Sequence, residues 1–202
     1  MTEKEKMLSG QNYLARDPEL ILLHKNCRKI LSEFNSITSD NVESRISLLN
    51  NLFEKVEDGV WIESPFYCDY GINISIGKNT FINFNCVFID NNKIEIGSNV
   101  LIGPGVHFYT SSHPVKSKER VKSDGKYITN ALPIKVGNNV WIGGNCSILA
   151  GSSIGDNVTI GAGCVIHGDI PSNTLVLQDK AQLKFVEKSR PYQWNSREEN
   201  LT

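Results

Sequence analysis

Residues 136–166 read VGNNVWIGGNCSILAGSSIGDNVTIGAGCVI, and every sixth residue from Val136 is aliphatic: Val136, Ile142, Ile148, Ile154, Ile160 and Ile166. If about a quarter of positions held Ile, Val or Leu at random, six in a row would arise roughly once in four thousand trials. Four residues further on, a second register holds Val140, Cys146, Ser152, Val158 and Cys164, all small or β-branched. A period of six matches neither an amphipathic helix nor simple strand alternation. It matches a short strand followed by a turn, repeated, with one large aliphatic side chain directed inward at each step. Gly137-Asn138-Asn139 and Gly155-Asp156-Asn157 supply the turn chemistry. Three such faces make one triangular coil of about 18 residues, and stacked coils share a core that no single coil could cover.

The register also exists upstream. Ile76, Ile82 and Phe88 form one stretch, with Thr80 and Cys86 at the small positions; Ile96, Ile102 and Phe108 form another, with Val100 and Val106. From Phe88 to Ile96 the step is eight, which places two inserted residues around Asp90-Asn91-Asn92. From Phe108 to Val136 the step is 28, four more than four hexads, so an insertion must bulge out within 109–133. The pattern predicts a parallel β-helix over 58–177.

Residues 1–57 follow a different rule. Asp17-Pro18-Glu19-Leu20 combines an N-cap, a proline at the first helical position and an acidic first turn. Leu20, Leu23, Cys27, Ile30, Leu31 and Phe34 then keep helical spacing, and Asp40 with Glu43 reads as a capping box ahead of Ile46, Leu49 and Phe53. A short helix precedes this helical hairpin. Together they predict an α-helical cap that shields the exposed strand edge of the coil stack. After Asn173 the hexads fade, leaving a polar tail over 178–202.

Composition excludes several roles. The 202 residues carry 21 Lys plus Arg against 22 Asp plus Glu, a formal charge of −1, with no basic block to bind nucleic acid or an anionic membrane. No apolar run approaches the roughly 18–20 residues that span a bilayer, and the doubly charged start is no secretory signal. Five cysteines without a CxxC pair argue against a disulfide framework or zinc ribbon and predict a reducing, cytoplasmic home. Cys86, Cys146 and Cys164 fall in the small inward register, where a thiol packs and does not react.

Four histidines remain as candidates for acid–base work. His24 sits in the predicted helix, where surface or packing explains it. His107 and His167 each follow an inward position. His113 lies in the large interruption of the repeat, beside Pro114, and loops on a rigid scaffold are where catalytic groups concentrate. A metal site built from His107, His113 and His167 fits their spacing poorly, so no metal is expected.

The hexads, together with Met7-Leu8-Ser9-Gly10-Gln11-Asn12-Tyr13, Asp17-Pro18-Glu19-Leu20, Cys68-Asp69-Tyr70-Gly71, Asn83-Phe84-Asn85 and Tyr109-Thr110-Ser111-Ser112-His113-Pro114, resemble the maltose/galactoside O-acetyltransferases, a branch of the hexapeptide-repeat acyltransferases. The resemblance covers about residues 5–177. It implies a mainly β fold, a left-handed parallel β-helix with an N-terminal helical cap, assembled as a homotrimer with active sites between subunits. It also implies direct acetyl transfer from acetyl-CoA to a hydroxyl of a small sugar or glycoside. A hydroxyl attacking a thioester needs a base of pKa near 7, which histidine supplies. By the resemblance His113 is that base and Asn83 steadies the oxyanion, with turn capping the alternative for Asn83. Asp69, Asn85 and Asn91 are candidates to hydrogen-bond acceptor hydroxyls, with the resemblance favouring Asp69; Asp17 also matches a family position near the acceptor, helix capping being sufficient for it. The resemblance puts Gly144 and Ala162 at the pantetheine arm of the cofactor; His167, just after inward Ile166, and Lys180 are further cofactor candidates from their own positions.

The sequence departs from the family at the nucleotide end. His167-Gly168 precedes Asp169-Ile170-Pro171 where the family has Thr-Lys, and Gln178-Asp179-Lys180-Ala181-Gln182 replaces a Gly-Asn-Pro-Ala segment. Fewer charge-assisted contacts to the CoA phosphates follow from this, with Lys180 or Lys184 as substitutes. Two alternatives stay open: a hexapeptide acyltransferase with a non-sugar acceptor, and a trimeric β-helical binding or scaffold protein with weakened CoA affinity.

Overall fold

A computed structural model describes residues 1–179. From Lys55 to Val176 the chain climbs in triangular rungs whose sides are strands of two to four residues. Three parallel sheets form the sides. The first contains Lys55–Val56, Ile74–Ile76, Ile94–Ile96, Ile134–Val136, Ser153–Ile154 and Asp169–Ile170. The second contains Trp61–Ile62, Phe81–Ile82, Leu101–Ile102, Trp141–Ile142, Thr159–Ile160 and Leu175–Val176. The third contains Phe66–Cys68, Cys86–Ile89, His107–Tyr109, Ser147–Leu149 and Val165–Ile166. We call the bend from first to second sheet the first corner, from second to third the second corner, and from third back to first the third corner.

The hexad residues do what their spacing predicts: Val136, Ile142, Ile148, Ile154, Ile160 and Ile166 are all buried, as are their upstream counterparts. Each such isoleucine contributes on the order of 2 kcal/mol of burial. In the lower rungs the third sheet sends aromatic rings inward: Phe88 and Phe108 share one file with centroids 4.5 Å apart, and Phe66, from the file of Cys86, meets Phe88 edge-on at 5.0 Å. The thiols of Cys86 and Cys146 point inward and donate to the carbonyls of Gly103 (3.3 Å) and Gly161 (3.1 Å) one rung above. Burial pushes the Cys86 thiol up to about 11, which suits packing and not nucleophilic attack.

The helices close the lower end. Helix α1 (Glu3–Leu8) is held by a capping box of Thr2 and Glu5. Helix α2 (Pro18–Ser36) starts as the sequence predicts, with the Asp17 carboxylate accepting from the Glu19 amide at 3.0 Å. Helix α3 (Val42–Leu52) corrects the expected capping box: its cap is Asn41, whose amide oxygen accepts from the Ser44 amide. The Asp40 carboxylate is instead engaged locally by Thr38 and held below the usual carboxylate range. Ile46, read as a core position, is exposed, and its neighbour Arg45 is buried. That guanidinium donates to the Ile62 carbonyl (2.6 Å) and the Ser64 hydroxyl (3.1 Å) beneath the Phe34 ring, joining the helical cap to the first rung. Asn35 of α2 bonds both the amide and the carbonyl of Phe66, each at 2.9 Å. The unpaired edge of the third sheet is thereby satisfied by a side chain.

The interruption after Phe108 is larger than four extra residues. The whole segment 110–133 leaves the stack at the third corner. Ser111–Ser112 pairs antiparallel with Asn130–Ala131, and Ile128–Thr129 pairs antiparallel with Tyr13–Leu14 from the N-terminal region. A one-turn helix α4 (Ser117–Arg120) lies between. Among the described residues no helix is long and apolar enough to cross a membrane.

Candidate active site

His113 follows directly on the Ser111–Ser112 strand, so the short antiparallel sheet fixes where its imidazole emerges. Its Nδ1 lies 2.8 Å from the Ile128 carbonyl oxygen. A carbonyl oxygen only accepts, so Nδ1 donates this bond, and in the neutral ring Nε2 is the nitrogen with the free lone pair. The ring is exposed and lines a cavity of about 400 Å³ with Tyr109, Ser112, Leu132, Leu149, Ala150 and His167 among its walls. That volume lies within the range of small-molecule sites, about 300–1,000 Å³. His167, at the third corner two rungs above Tyr109, thus shares a wall with His113 although 53 residues separate them in sequence.

Asp69 belongs to the same side of the molecule. Cys68, Phe88 and Phe108 are paired and point inward, so the residue after each faces outward. Asp69 therefore begins a file that continues through Ile89, Tyr109 and Leu149, roughly 10 Å below Tyr109 at two strand spacings. Burial raises the pKa of Asp69, an effect opposed by His24, by Arg28 and by the Asn91 side chain. His24 Nε2 stands 4.0 Å from the Asp69 carboxylate, a contact that the helical reading of His24 did not anticipate. Asn91, also predicted for the acceptor, is buried beside Asp69 and Tyr70, and its side chain favours the ionised form of each.

Asp17 is placed apart. It caps α2 and lines a second cavity, about 420 Å³, with Leu14, Arg16 and residues 124–127.

Asn83 and Asn85 lie on the second corner, not beside His113 in the same chain. Asn83 Oδ1 accepts from the Phe84 amide at 2.8 Å, which leaves Nδ2 as the group it can offer. Asn85 is in the left-handed region at φ 60° and turns the corner. Gly144 and Ala162 sit above them on that corner. Here the rungs are too close for side chains: a Cβ on Gly103 would fall 2.6 Å from the Gly144 nitrogen, and one on Gly143 2.5 Å from the Ala162 nitrogen. The corner is a backbone-lined cradle flanked by the exposed rings of Phe84 and Trp141. The first corner is as tight, a Cβ on Gly97 falling 2.5 Å from the Gly137 carbonyl oxygen, so the close approach belongs to the stacking and the exposed rings are what distinguish the second corner. Lys180 lies outside the described residues. Among those described, no group of three His, Cys, Asp or Glu side chains could hold a metal ion.

Comparison with known proteins bears on this arrangement. Residues 6–57 match the maltose acetyltransferase hexapeptide capping motif, and residues 133–168 match the bacterial transferase hexapeptide model of six repeats. The chain is 42% identical over 148 residues to galactoside O-acetyltransferase of Escherichia coli, covering 73% of this chain and 71% of that one. The crystal structure of a maltose O-acetyltransferase from Clostridium difficile superposes with a TM-score of 0.83 at 45% identity, covering 88% of this chain and 93% of that one. A hexapeptide-repeat acetyltransferase from Vibrio cholerae, solved with acetyl coenzyme A, gives a TM-score of 0.79 at 35% identity, with 88% and 94% covered.

Proposed function

The chain belongs to the maltose/galactoside O-acetyltransferase family of hexapeptide-repeat acyltransferases and is an acetyl-CoA-dependent acetyltransferase, and from that premise we propose that it acetylates a hydroxyl of a small sugar or glycoside with His113 as general base. The observation that carries this reading is the His113–Ile128 hydrogen bond, which makes Nε2 the basic nitrogen of the neutral ring in a side chain that lines the cavity.

The chemistry then runs as follows. Nε2 takes the proton of the acceptor hydroxyl as its oxygen attacks the thioester carbonyl of acetyl-CoA. The imidazolium formed is held by the Ile128 carbonyl through Nδ1–H. The tetrahedral oxyanion accepts a hydrogen bond from Asn83 Nδ2. Collapse expels the CoA thiolate, which takes the proton back from Nε2. Asp69 and Asn91 bind other hydroxyls of the acceptor, with Asn85 and Asp17 at its margins. The pantetheine arm lies along the cradle of Gly144 and Ala162, and His167 meets it where that cradle approaches the cavity.

This assignment uses two corners of the chain, with the third sheet between them. The halves meet if the second corner of one copy faces the third corner of the next, and a closed homotrimer repeats that contact three times. The exposed rings of Phe84 and Trp141 and the side chains of Leu101 and Leu175 give such a contact an apolar surface.

The test is thiol release from acetyl-CoA against a panel of sugars, glycosides, amines and serine-containing peptides. Release on sugar addition supports the reading. Release with amines or peptides alone moves the protein to the non-sugar alternative, and no CoA binding at millimolar concentration moves it to the scaffold.

A further inference from the structure

The two residues inserted between Phe88 and Ile96 do more than widen a rung. Asp90 is completely buried at the third corner. Its Oδ1 accepts from the backbone amides of Asp69 at 2.9 Å and Tyr70 at 2.8 Å, in the rung below. Its Oδ2 faces the Asn73 amide at 3.4 Å, and the Asn73 side chain donates back to the Asp90 carbonyl at 2.7 Å. The turn from Asp69 to Asn73 is thus wrapped around one carboxylate. Two residues on, the Asn92 side chain donates to the carbonyls of Met7 (3.1 Å) and Ala131 (3.0 Å), reaching helix α1 and the arm that carries His113. The Asn92 amide donates to Thr110, where that arm departs. The insertion therefore grips the Asp69 turn with one side chain and the His113 arm with another.

A carboxylate removed from water is costly unless its lone pairs are filled. Here they are filled by amides of the turn that bears Asp69. Ordinary turn chemistry needs no such group, because Gly71 already supplies the left-handed residue of this corner, at φ 75°. We propose that Asp90 is a positioning residue for acceptor recognition: it sets the direction of the Asp69 side chain by holding the amides of Asp69 and Tyr70, and it touches no substrate itself. The inference rests on the reading that Asp69 binds the acceptor.

The experiment measures thiol release with maltose and with methyl β-galactoside as acceptors, varying each substrate at saturating levels of the other. Asp90→Ala raises the acceptor KM about tenfold, as expected for losing two short hydrogen bonds, while the acetyl-CoA KM is unchanged. Asp90→Asn restores the acceptor KM, because its Oδ1 still accepts the two short bonds. A destabilised scaffold would move both KM values together, and that result overturns the proposal. So does an unchanged acceptor KM in Asp90→Ala, or an Asp90→Asn variant as impaired as Asp90→Ala. If Asp90→Ala is insoluble, Asp90→Ser is judged by the same outcomes, since its hydroxyl is too short to reach both amides. Asp69→Asn separates the two levels: an acceptor KM unchanged in that variant removes Asp69 from the site and the premise with it. Turnover of neither sugar by the wild-type enzyme likewise overturns the premise and the inference together.

Discussion

The first and third corners of the β-helix are built from the same backbone yet treat their rungs in opposite ways. At the first corner Asn79, Asn99, Asn139, Asn157 and Asn173 all occupy the left-handed region, with φ between 55° and 61°. Their side-chain amides bond one another up the stack at 3.0 to 3.3 Å. At the third corner no two consecutive turns in the lower rungs are alike. Gly71 turns one, the buried Asp90-Asn91-Asn92 the next, and the 110–133 arm the one after. A corner that repeats stacks identical groups, and each rung stabilises its neighbours. A corner that varies gives up that mutual support and gains distinct side chains at fixed heights: Asp69, then Tyr109 with His113, then His167. On the proposed function, the contrast separates the scaffold from the chemistry.

The largest effect that breaks the comparison comes from the part shared by all corners. Ile148→Asp puts a carboxylate in the fully buried file, at a cost of several kcal/mol. No soluble, cooperatively melting protein is expected from that variant, as checked by expression and calorimetry. Next is the varied corner: His113→Ala lowers turnover by about 10²–10⁴-fold, the contribution of a general base, with the melting temperature unchanged. Steady-state kinetics beside a thermal melt checks both halves of that statement. The repeating corner behaves in reverse. Asn139→Ala loses two ladder bonds and strains a left-handed position, costing about 2–3 kcal/mol of stability with little effect on turnover. Asn139→Gly relieves the strain and costs about 1 kcal/mol, so chemical denaturation of the pair separates ladder from backbone.

The smallest effect sharpens the picture of the third corner. Burial, reinforced by the Asp69 charge, pushes the Asp90 carboxyl up to about 7 despite the backbone amides it accepts. A native pKa above the unfolded value means that the folded protein holds the extra proton between the two. The associated stability is present below about pH 4 and declines as pH rises through about 7. Wild type should therefore lose about 1 kcal/mol relative to Asp90→Asn between pH 6 and 8, read from melts across that range.

How far the sequence carried this account follows the same division. Stacking leaves a periodic trace, so the inward files from Ile76 to Ile166 and the helix start at Asp17-Pro18 were readable without coordinates. So was the interruption that bears His113, because it breaks the period. Its extent was not, since counting hexads assumes that the intervening chain still coils, and residues 110–133 pair instead with Tyr13 and Leu14. Asp90 was seen as an insertion but not as a buried carboxylate, because its partners are backbone amides 17 to 21 residues earlier and leave no mark in residue type. His24 looked like helix surface for a related reason: its neighbour Asp69 comes from a turn that only the docking of α2 brings near. Likewise, Asn41 displaced Asp40 as a cap through a local competition for hydrogen bonds. The proposed partners Asn83 and His113 fall on different corners, which the register itself encodes once strands are assigned to sheets.

That separation makes subunit sharing the central claim, and complementation tests it most directly. His113→Ala and Asn83→Ala are each prepared with low activity, then unfolded together and refolded as a mixture. If the second corner of one copy completes the third corner of the next, random assortment regenerates intact sites, and activity returns to about a quarter of the wild-type value. If each chain houses its own complete site, the mixture stays at the average of its two inactive parents, and the shared-site account is contradicted.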